Sequence, residues 1–144
     1  MSGGLRERAL GLLARREHSR AELARKLARD ADAGEIDAAL DRLEREGYLS
    51  DERFAEAFVA SRCARYGLAR LRSDLRRRGV REPLIGEVLG ALAPTEIERA
   101  REVWKRRFGC VPAGPRDYAR QARFLEARGF GSEVLRALLR TPHA

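Results

Sequence analysis

The segment 47–79, GYLSDERFAEAFVASRCARYGLARLRSDLRRRG, contains the pattern that decides the fold. Ser50 stands where a helix N-cap is expected, and the acidic residues after it suit the positive end of the helix dipole. Apolar side chains then recur at helical spacing, and Gly67 separates this helix from a second one. Gly79 follows the last turn of the second helix, where a left-handed cap is common. The segment therefore predicts two amphipathic helices joined by a tight turn.

The apolar stripes of these two helices predict a core in the middle of the chain. Phe54 and Phe58 lie on the stripe of the first helix, and Leu71 and Leu75 lie on that of the second. We expect these four side chains to be buried together, because both stripes need covering. At about 100° per residue, Arg70 and other arginines of the second helix face away from its leucines.

The remainder of the chain also predicts helices. Ser19 and Glu22 fit a capping box at the start of a second helix, after a first helix at 5–16. A loop at 29–34 precedes a third helix that ends at Gly47, and Pro83 lies in the first turn of a helix at 82–92. Further helices are expected at 95–108, capped by Thr95, and at 117–128 and 132–140, with a Gly/Pro-rich loop at 109–115. No segment alternates as a strand does, so the prediction is all-α with about nine helices.

A three-helix pattern recurs with a period near 50 residues. A shift of 48 places Leu23 on Leu71, and a shift of 50 places Gly79 on Gly129. Such a period is typical of stacked helical repeats, since one three-helix unit of this size buries little core alone. We therefore expect an elongated tandem array of three three-helix repeats, at residues 1–48, 49–94 and 95–144, with the main basic patch in the second.

Positive charge is concentrated in two segments. Residues 62–81 hold eight arginines against the single acid Asp74, and residues 101–128 carry a net +5, in a chain whose net charge is +8. Clustered arginine is typical of a surface that binds a polyanion or an acidic partner. The alternative is a solvated surface of an arginine-rich protein. The candidate contact residues are Arg62, Arg65, Arg70, Arg72, Arg76, Arg77 and Arg78 in the first patch, and Lys105, Arg106, Arg107, Arg120, Arg123 and Arg128 in the second.

The sequence offers no motif for catalysis, for a metal or for a cofactor. His18 has no nucleophile or carboxylate at motif spacing, and we expect it to make a helix-end contact. Cys63 and Cys110 lack metal-type spacing and are expected to be reduced thiols. No apolar run approaches the ~20 residues of a membrane span, and the N-terminal residues do not resemble a signal peptide. These features predict a cytoplasmic, monomeric protein that is not an enzyme.

Four segments resemble the RecX family of bacterial regulators of the RecA recombinase. They are RALGLLARREHSRAEL at 8–23, GYLSDERFAEAFVASR at 47–62, LRRRGV at 75–80 and FLEARGF at 124–130. The resemblance covers the chain nearly end to end, apart from the family's N-terminal extension and the loop at 109–116. It implies an array of three-helix repeats that binds the RecA–DNA filament and damps recombination and ATP hydrolysis, without a catalytic site. Within these segments we expect Asp51 and Glu52 to be structural.

Two other classes of function remain open from the sequence. A stand-alone DNA-binding protein would use the basic helix at 68–78 to hold phosphates, because that helix lacks the Asn and Gln that read base edges. A purely structural helical scaffold is the other alternative, and it leaves the basic cluster unexplained. Arginine pairs with carboxylate and phosphate alike, so residue type does not decide whether the patches would contact RecA or DNA.

Overall fold

The computed structural model describes residues 2–140, and the side chains from Gly4 onward. Within that range the chain forms nine α-helices and one short 3₁₀ turn, which confirms the all-α prediction. The helices are α1 (Ser2–Arg15), α2 (Arg20–Leu27), α3 (Ala33–Arg45), α4 (Asp51–Arg62), α5 (Leu68–Arg77), α6 (Glu82–Leu92), α7 (Glu96–Arg107), α8 (Pro115–Ala127) and α9 (Ser132–Leu139). None of the helices in this range is long and apolar enough to cross a membrane.

The chain divides into two compact units, and the divisions fall within α4, α5 and α6. Unit 1 comprises Met1–Phe58 and Leu75–Ile85, and unit 2 comprises Val59–Asp74 and Gly86–Ala144. The sequence repeats at 1–48, 49–94 and 95–144 are a different division of the chain, and they stay a prediction.

Unit 1 is built around aliphatic side chains from its first three helices. Leu23, Leu27, Leu40 and Leu43 are fully buried there. Each lies on the apolar stripe that the periodicity predicted, so these helices cover one another's stripes. Phe54 and Phe58 are also buried, with ring centroids 5.7 Å apart.

Unit 2 has its own apolar core. The cluster takes Ala100 and Val103 from α7, Ala122 and Leu125 from α8, and several side chains from α9, with Phe130 between the last two helices. Leu71 is likewise fully buried, as is Leu75 in unit 1. Each of the two phenylalanines and two leucines is thus buried, but Leu71 belongs to a different unit from the other three, so their burial together stays a prediction.

The predicted helix caps are mostly confirmed. The Ser19 hydroxyl accepts from the Glu22 amide and the Glu22 carboxylate accepts from the Ser19 amide, which completes the capping box. The Ser50 hydroxyl accepts from the Arg53 amide at 3.1 Å. Gly79 has the predicted left-handed conformation with φ 84°.

Two predicted boundaries differ from the structure. Thr95 does not cap α7 with its side chain, because it is the last residue of the 3₁₀ turn Ala93–Thr95 and its backbone is helical. Its hydroxyl donates instead to the Leu92 carbonyl at 2.7 Å. α3 begins at Ala33, inside the predicted loop, because Asp32 accepts from the Glu35 amide and caps the helix earlier.

Candidate functional site

The first site-forming contact lies in unit 1, where the start of α2 meets the turn after α5. We call it the first junction. The Ser19 hydroxyl donates to the Arg78 carbonyl at 2.6 Å, and a Cβ at Gly79 would lie only 2.3 Å from that of Ala21. The Arg20 amide donates to Asp51 Oδ1 at 2.7 Å, so Asp51 holds the first turn of α2. The structural role expected of Asp51 is therefore observed.

A buried ion pair closes the first junction. Arg78 Nη1 donates to Glu22 Oε2 at 2.7 Å, and only 9% of the Glu22 side chain is exposed. Burial alone would raise the pKa of Glu22, but hydrogen bonds from Arg16, the Ser19 amide and Arg78 outweigh it, so the pKa lies below its ordinary value. Arg78 also lies over the Phe58 ring, 4.9 Å from its centroid. Arg78 is thus committed to the interior of unit 1.

The same contact recurs in unit 2, where the start of α5 meets the turn after α8. We call it the second junction. The Gly67 and Ala69 amides donate to the Arg128 and Gly129 carbonyls at 2.7 and 3.1 Å. The first amide of α5, that of Leu68, donates to Glu96 Oε1 at 2.8 Å, as the first amide of α2 does to Asp51.

The two junctions correspond at the offsets that the sequence predicted. Ser19 and Gly67 are 48 residues apart, while Arg78 and Arg128 are 50 apart. Gly79 and Gly129 have φ of 84° and 92° at corresponding turns. The internal repeat therefore reflects a repeated docking of a helix start onto a turn, through the Ser19 hydroxyl in the first junction and backbone amides in the second, as well as a repeated hydrophobic pattern.

The side chains of the two junctions differ at the ion pair. The shift of 48 that places Ser19 on Gly67 places Glu22 on Arg70, so an arginine replaces the buried carboxylate. Its partner position keeps an arginine, Arg128. The guanidinium carbons of Arg70 and Arg128 lie 4.8 and 5.6 Å from the centroid of the Tyr66 ring. Two like charges thus share one aromatic ring at the positions of the Glu22–Arg78 pair, while Arg70 pairs with Asp74 on its own helix.

Arginines and aromatic rings continue from Tyr66 across unit 2, and we call this set the arginine ladder. Each arginine lies 4.8–5.6 Å from the centroid of the ring that it contacts. The rings of Phe108 and Phe124 also contact each other edge to face, 5.4 Å apart. The ladder runs through Arg70, Tyr66, Arg128, Phe124, Arg107, Phe108 and Arg120, and Arg65 also contacts Tyr66.

Contacts between guanidinium groups and aromatic rings stabilise positive charge at a protein surface. A guanidinium over an aromatic ring gains about 0.5–1 kcal/mol at exposed sites, while its N–H groups can still bind an anion in the plane of the fork. Arg107 and Arg120 are exposed, and Arg70 and Arg128 are half-buried. Asp74 pairs with Arg70 at 3.3 Å, and Asp117 pairs with Arg120 at 2.7 Å.

The net charge of the chain lies almost entirely in unit 2. That unit holds 15 basic and 8 acidic side chains, a net +7, whereas unit 1 holds 15 basic and 14 acidic ones, a net +1. Hence the second patch and the first half of the first patch belong to the same compact unit. A surface with this excess attracts polyanions over distances comparable to the Debye length.

The structure separates the sequence-predicted site residues into groups. It brings Arg65, Arg70, Arg107, Arg120 and Arg128 together in the ladder. The remaining members of unit 2 are the half-buried Arg62, which donates to the Ser61 hydroxyl at 3.0 Å, the half-buried Arg72, and the exposed Lys105, Arg106 and Arg123. Arg76, Arg77 and Arg78 belong to unit 1, where Arg76 pairs with Glu82 at 2.5 Å.

Tyr66, Phe108 and Phe124 were not singled out from the sequence. Each of them is adjacent to or within four residues of an arginine along the chain, and this interleaving of basic and aromatic residues was the available signal. Arg99 was missed as well. Its Nη1 donates to the carbonyls of Cys63 and Tyr66 at 2.6 and 2.8 Å, and so it fixes the backbone that presents the Tyr66 ring. Burial lowers the pKa of Arg99, although Glu96 partly opposes this.

His18 makes the helix-end contact that the sequence predicted. It is 1% exposed, with Nδ1 3.0 Å from the Arg16 carbonyl and Nε2 3.0 Å from Lys26 Nζ. A neutral ring satisfies both contacts, because Nδ1–H donates to the carbonyl and Nε2 accepts from the ammonium. Burial lowers the pKa of His18, and this outweighs the opposing effect of the Arg16 carbonyl.

Comparison with known proteins places these features in one class. Sequence models of the first, second and third three-helix domains of RecX match residues 6–43, 50–89 and 95–139. The regulatory protein RecX of Leptothrix cholodnii is 53% identical over 94% of this chain and 87% of its own length. That of Ralstonia nicotianae is 48% identical over 94% and 86%.

Solved structures agree in fold. The crystal structure of RecX from Lactobacillus salivarius superposes with a TM-score of 0.82 at 16% identity, covering 96% of this chain and 94% of that chain. A second crystal structure of regulatory protein RecX gives the same TM-score at 21% identity over 95% and 72%. The class is therefore an all-helical regulatory protein of three three-helix domains. The chain belongs to the RecX family.

Proposed function

We propose that the protein binds the RecA–DNA filament and inhibits its recombinase activity and its ATP hydrolysis. It acts by binding, as a cytoplasmic monomer with no catalytic site of its own. The observation that supports this beyond the family is the concentration of charge, since unit 2 has a net +7 and presents the arginine ladder. A filament of protein and nucleic acid offers regularly spaced phosphates and carboxylates that such a surface can bind.

Neutralising exposed arginines of unit 2 tests this proposal. We expect replacement of Arg106, Arg107 and Arg123 by alanine to weaken binding to RecA-coated single-stranded DNA at least tenfold, or about 1.4 kcal/mol. Inhibition of the ATPase should weaken in parallel. All three side chains are exposed, so the variant should unfold at nearly the same urea concentration as the parent.

Unit 1 offers a control with the same change of charge. Arg25, Arg29 and Arg45 are also exposed, and their replacement by alanine should leave filament binding within about twofold. Equal losses in the two triple variants would show that only net charge matters and would overturn the assignment to unit 2. Unimpaired inhibition by the first variant would overturn it too.

A stand-alone, sequence-nonspecific DNA-binding protein is the second candidate. The observation that favours it is the arginine ladder, because basic side chains interleaved with aromatic rings suit nucleic acid without reading its sequence. Titration of bare single-stranded DNA beside RecA-coated DNA separates the two candidates. Tighter binding to the coated DNA favours the regulator, and equal or tighter binding to bare DNA favours the second candidate.

A further inference from the structure

At the position where the first junction has the buried carboxylate of Glu22, the second junction has Arg70, which pairs with Asp74 on its own helix at 3.3 Å. In the first junction Glu22 accepts hydrogen bonds from Arg78, Arg16 and the Ser19 amide. In the second, the position of Glu22 is taken by Arg70 and that of Arg78 by Arg128. The helix start still docks onto the turn, through amide–carbonyl contacts of 2.7 and 3.1 Å where the first junction uses the Ser19 hydroxyl. An anion from outside the chain would therefore restore the missing half of the ion pair.

We propose that the second junction is a phosphodiester-binding site for DNA, formed by Arg70 and Arg128 around Tyr66, with Arg65 at its edge. This deepens the proposed function, on which it rests for the choice of DNA as the ligand. The first junction shows that this backbone arrangement places a carboxylate within reach of an arginine. The second presents arginine on both sides and an aromatic ring between them.

The geometry around Tyr66 suits phosphate. The guanidinium carbons of Arg70 and Arg128 are at most about 10 Å apart, because both lie within 5.6 Å of the same ring centroid. One phosphate, or two consecutive phosphates of a strand, can therefore meet both groups. Each guanidinium carbon lies over the ring, and the donors of a guanidinium lie in its own plane, which suits bidentate contact with a phosphate.

Local charge also favours an anion. Arg65, Arg70 and Arg128 meet at one ring, and Asp74 balances Arg70 at 3.3 Å. Arg128 Nη1 lies 3.5 Å from the Arg65 carbonyl, a contact that leaves its charge uncompensated. The excess positive charge at Tyr66 is thus suited to a ligand of one or two negative charges.

The rest of the ladder indicates a polymer as the source of these charges. From Tyr66 the arginines continue through Arg107 and Arg120, each beside an aromatic ring. A strand of nucleic acid carries one charge per nucleotide and can occupy such a row. An acidic segment of a partner protein is the competing source, and a competition titration distinguishes it from DNA.

Replacing Arg70 by glutamate tests the site, because it rebuilds the ion pair of the first junction. In Arg70→Glu the introduced carboxylate should pair with Arg128, but Asp74 loses its partner and gains a like charge four residues away, so we expect a folded variant whose thermal midpoint in 50 mM KCl is no higher than that of the parent. Binding of a fluorescein-labelled 20-nucleotide oligothymidylate should weaken at least tenfold. The slope of log K against log [KCl] should become shallower by about 1.4, since two phosphates of a single strand no longer meet an arginine.

Arg136→Glu is the matched control, with the same charge change in the same unit at an exposed position of α9 that belongs neither to the two patches nor to the arginine ladder. Its affinity should fall by less than about threefold, with a slope change of at most about 0.7. If both variants lose affinity equally, the effect is one of net charge and the site is overturned. Should Arg70→Glu fail to fold, Arg70→Gln against Arg136→Gln makes the same comparison, with the expected slope change halved to about 0.7 for a single phosphate.

Competing ligands identify the source of the anion. A 20-base-pair duplex tests whether the backbone alone suffices, and binding of either DNA form through Arg70 supports the proposal. A poly-glutamate peptide of similar length tests the acidic alternative. Displacement of the oligothymidylate by poly-glutamate at equal charge concentration would overturn the choice of DNA. The titrations contain no RecA, so a negative result in them would not contradict the proposed filament binding. Conversely, an absence of filament inhibition would not change the result of the titrations.

Discussion

At the scale of single residues, the difference between Glu22 and Arg70 at corresponding positions of the two junctions changes the role of the site. Glu22 is buried and pairs with Arg78, so the ion pair of the first junction is formed entirely by residues of this chain. Arg70 stands at the corresponding position of unit 2, where the proposed ligand would supply the negative charge that Glu22 supplies in unit 1. Residue type, and not backbone conformation, therefore distinguishes a structural contact from a candidate binding contact.

Removing the charge of Glu22 should be costly. Glu22→Gln keeps an oxygen for the Ser19 amide but loses the charge-assisted bonds from Arg16 and Arg78, so we expect about 1.5–3 kcal/mol of destabilisation by urea unfolding. Glu52→Gln is the control, because Glu52 is exposed on α4. It should change the free energy of unfolding by less than about 0.5 kcal/mol. Similar midpoints for both variants would show that the ion pair adds nothing.

The stability of unit 1 should depend on pH through His18. Its folded pKa is lowered from 6.5, so the unfolded chain takes up a proton more readily. The stabilisation is complete above about pH 6.5 and is lost as the pH falls. Between pH 7.5 and 5.5 we expect a loss of about 0.5–1 kcal/mol.

His18→Gln should lack this loss, because its amide can make both contacts without titrating. Glu22 acts in the same direction in a lower window, since its folded pKa is lowered from 4.5 and its contribution is lost below that pH. Chemical unfolding at the two pH values checks the prediction. An equal loss in His18→Gln would assign the effect to other groups.

At the scale of elements, the start of a helix acts as a docking point for a later turn. In both junctions the first amide of the helix is held by an acidic residue at the start of another helix, Asp51 for α2 and Glu96 for α5. In the second junction the next contact is made by backbone alone, because Gly67 has no side chain. The fit there depends on close approach of the Gly67 backbone to the Gly129 backbone.

Gly67→Ala should be strongly destabilising for this reason. A Cβ at Gly67 would lie 2.4 Å from the Gly129 oxygen and 2.7 Å from a ring carbon of Phe130. The backbone must then move apart, and we expect a loss of at least about 2 kcal/mol, in the range of overpacked sites. Gly86→Ala is the control, since nothing lies within 4 Å of that Cβ and the residue is inside α6.

The control should stabilise the protein by about 0.5–1 kcal/mol. Urea midpoints of the two variants provide the measurement. A tolerated alanine at Gly67 would mean that the second junction can open without cost.

Local signals explain which elements could be predicted from sequence. The capping box of Ser19 and Glu22 and the left-handed turn at Gly79 depend on neighbours within a few residues, and both were predicted correctly. The role of Arg78 could not be predicted, because its partner Glu22 is 56 positions away. Periodicity places Arg78 at a helix end and says nothing about what packs there.

The arginine ladder could not be predicted from local sequence signals for the same reason. The two patches were visible as charge, yet their meeting at Tyr66 depends on how α5 and α8 pack within unit 2. Arg70 and Arg128 are separated by 58 positions in the chain. Thr95 shows a different error. It was predicted to cap α7, but it lies in a 3₁₀ turn that no local sequence signal predicted.

At the scale of the molecule, compact units and sequence repeats divide the chain differently. Unit 2 joins α7, α8 and α9 to Val59–Asp74. A fragment 59–144 should therefore unfold cooperatively, whereas 95–144 lacks Gly67, Ala69 and the carbonyls that Arg99 binds. We expect the shorter fragment to lose most of its helical circular dichroism at a lower urea concentration. Equal midpoints would show that the third repeat folds without these contacts.

The junctions also constrain how a chain of this kind could arise by duplication. The segment that is copied, about 50 residues long, holds a core cluster of its own, but the start of its second helix is covered by a turn of the next copy. A lone ancestral copy would have had to dock the start of its second helix onto the matching turn of another molecule. Self-association would then have preceded fusion of the copies. In the fused chain, each copy docks onto the next copy, where the ancestral copy docked onto a separate molecule.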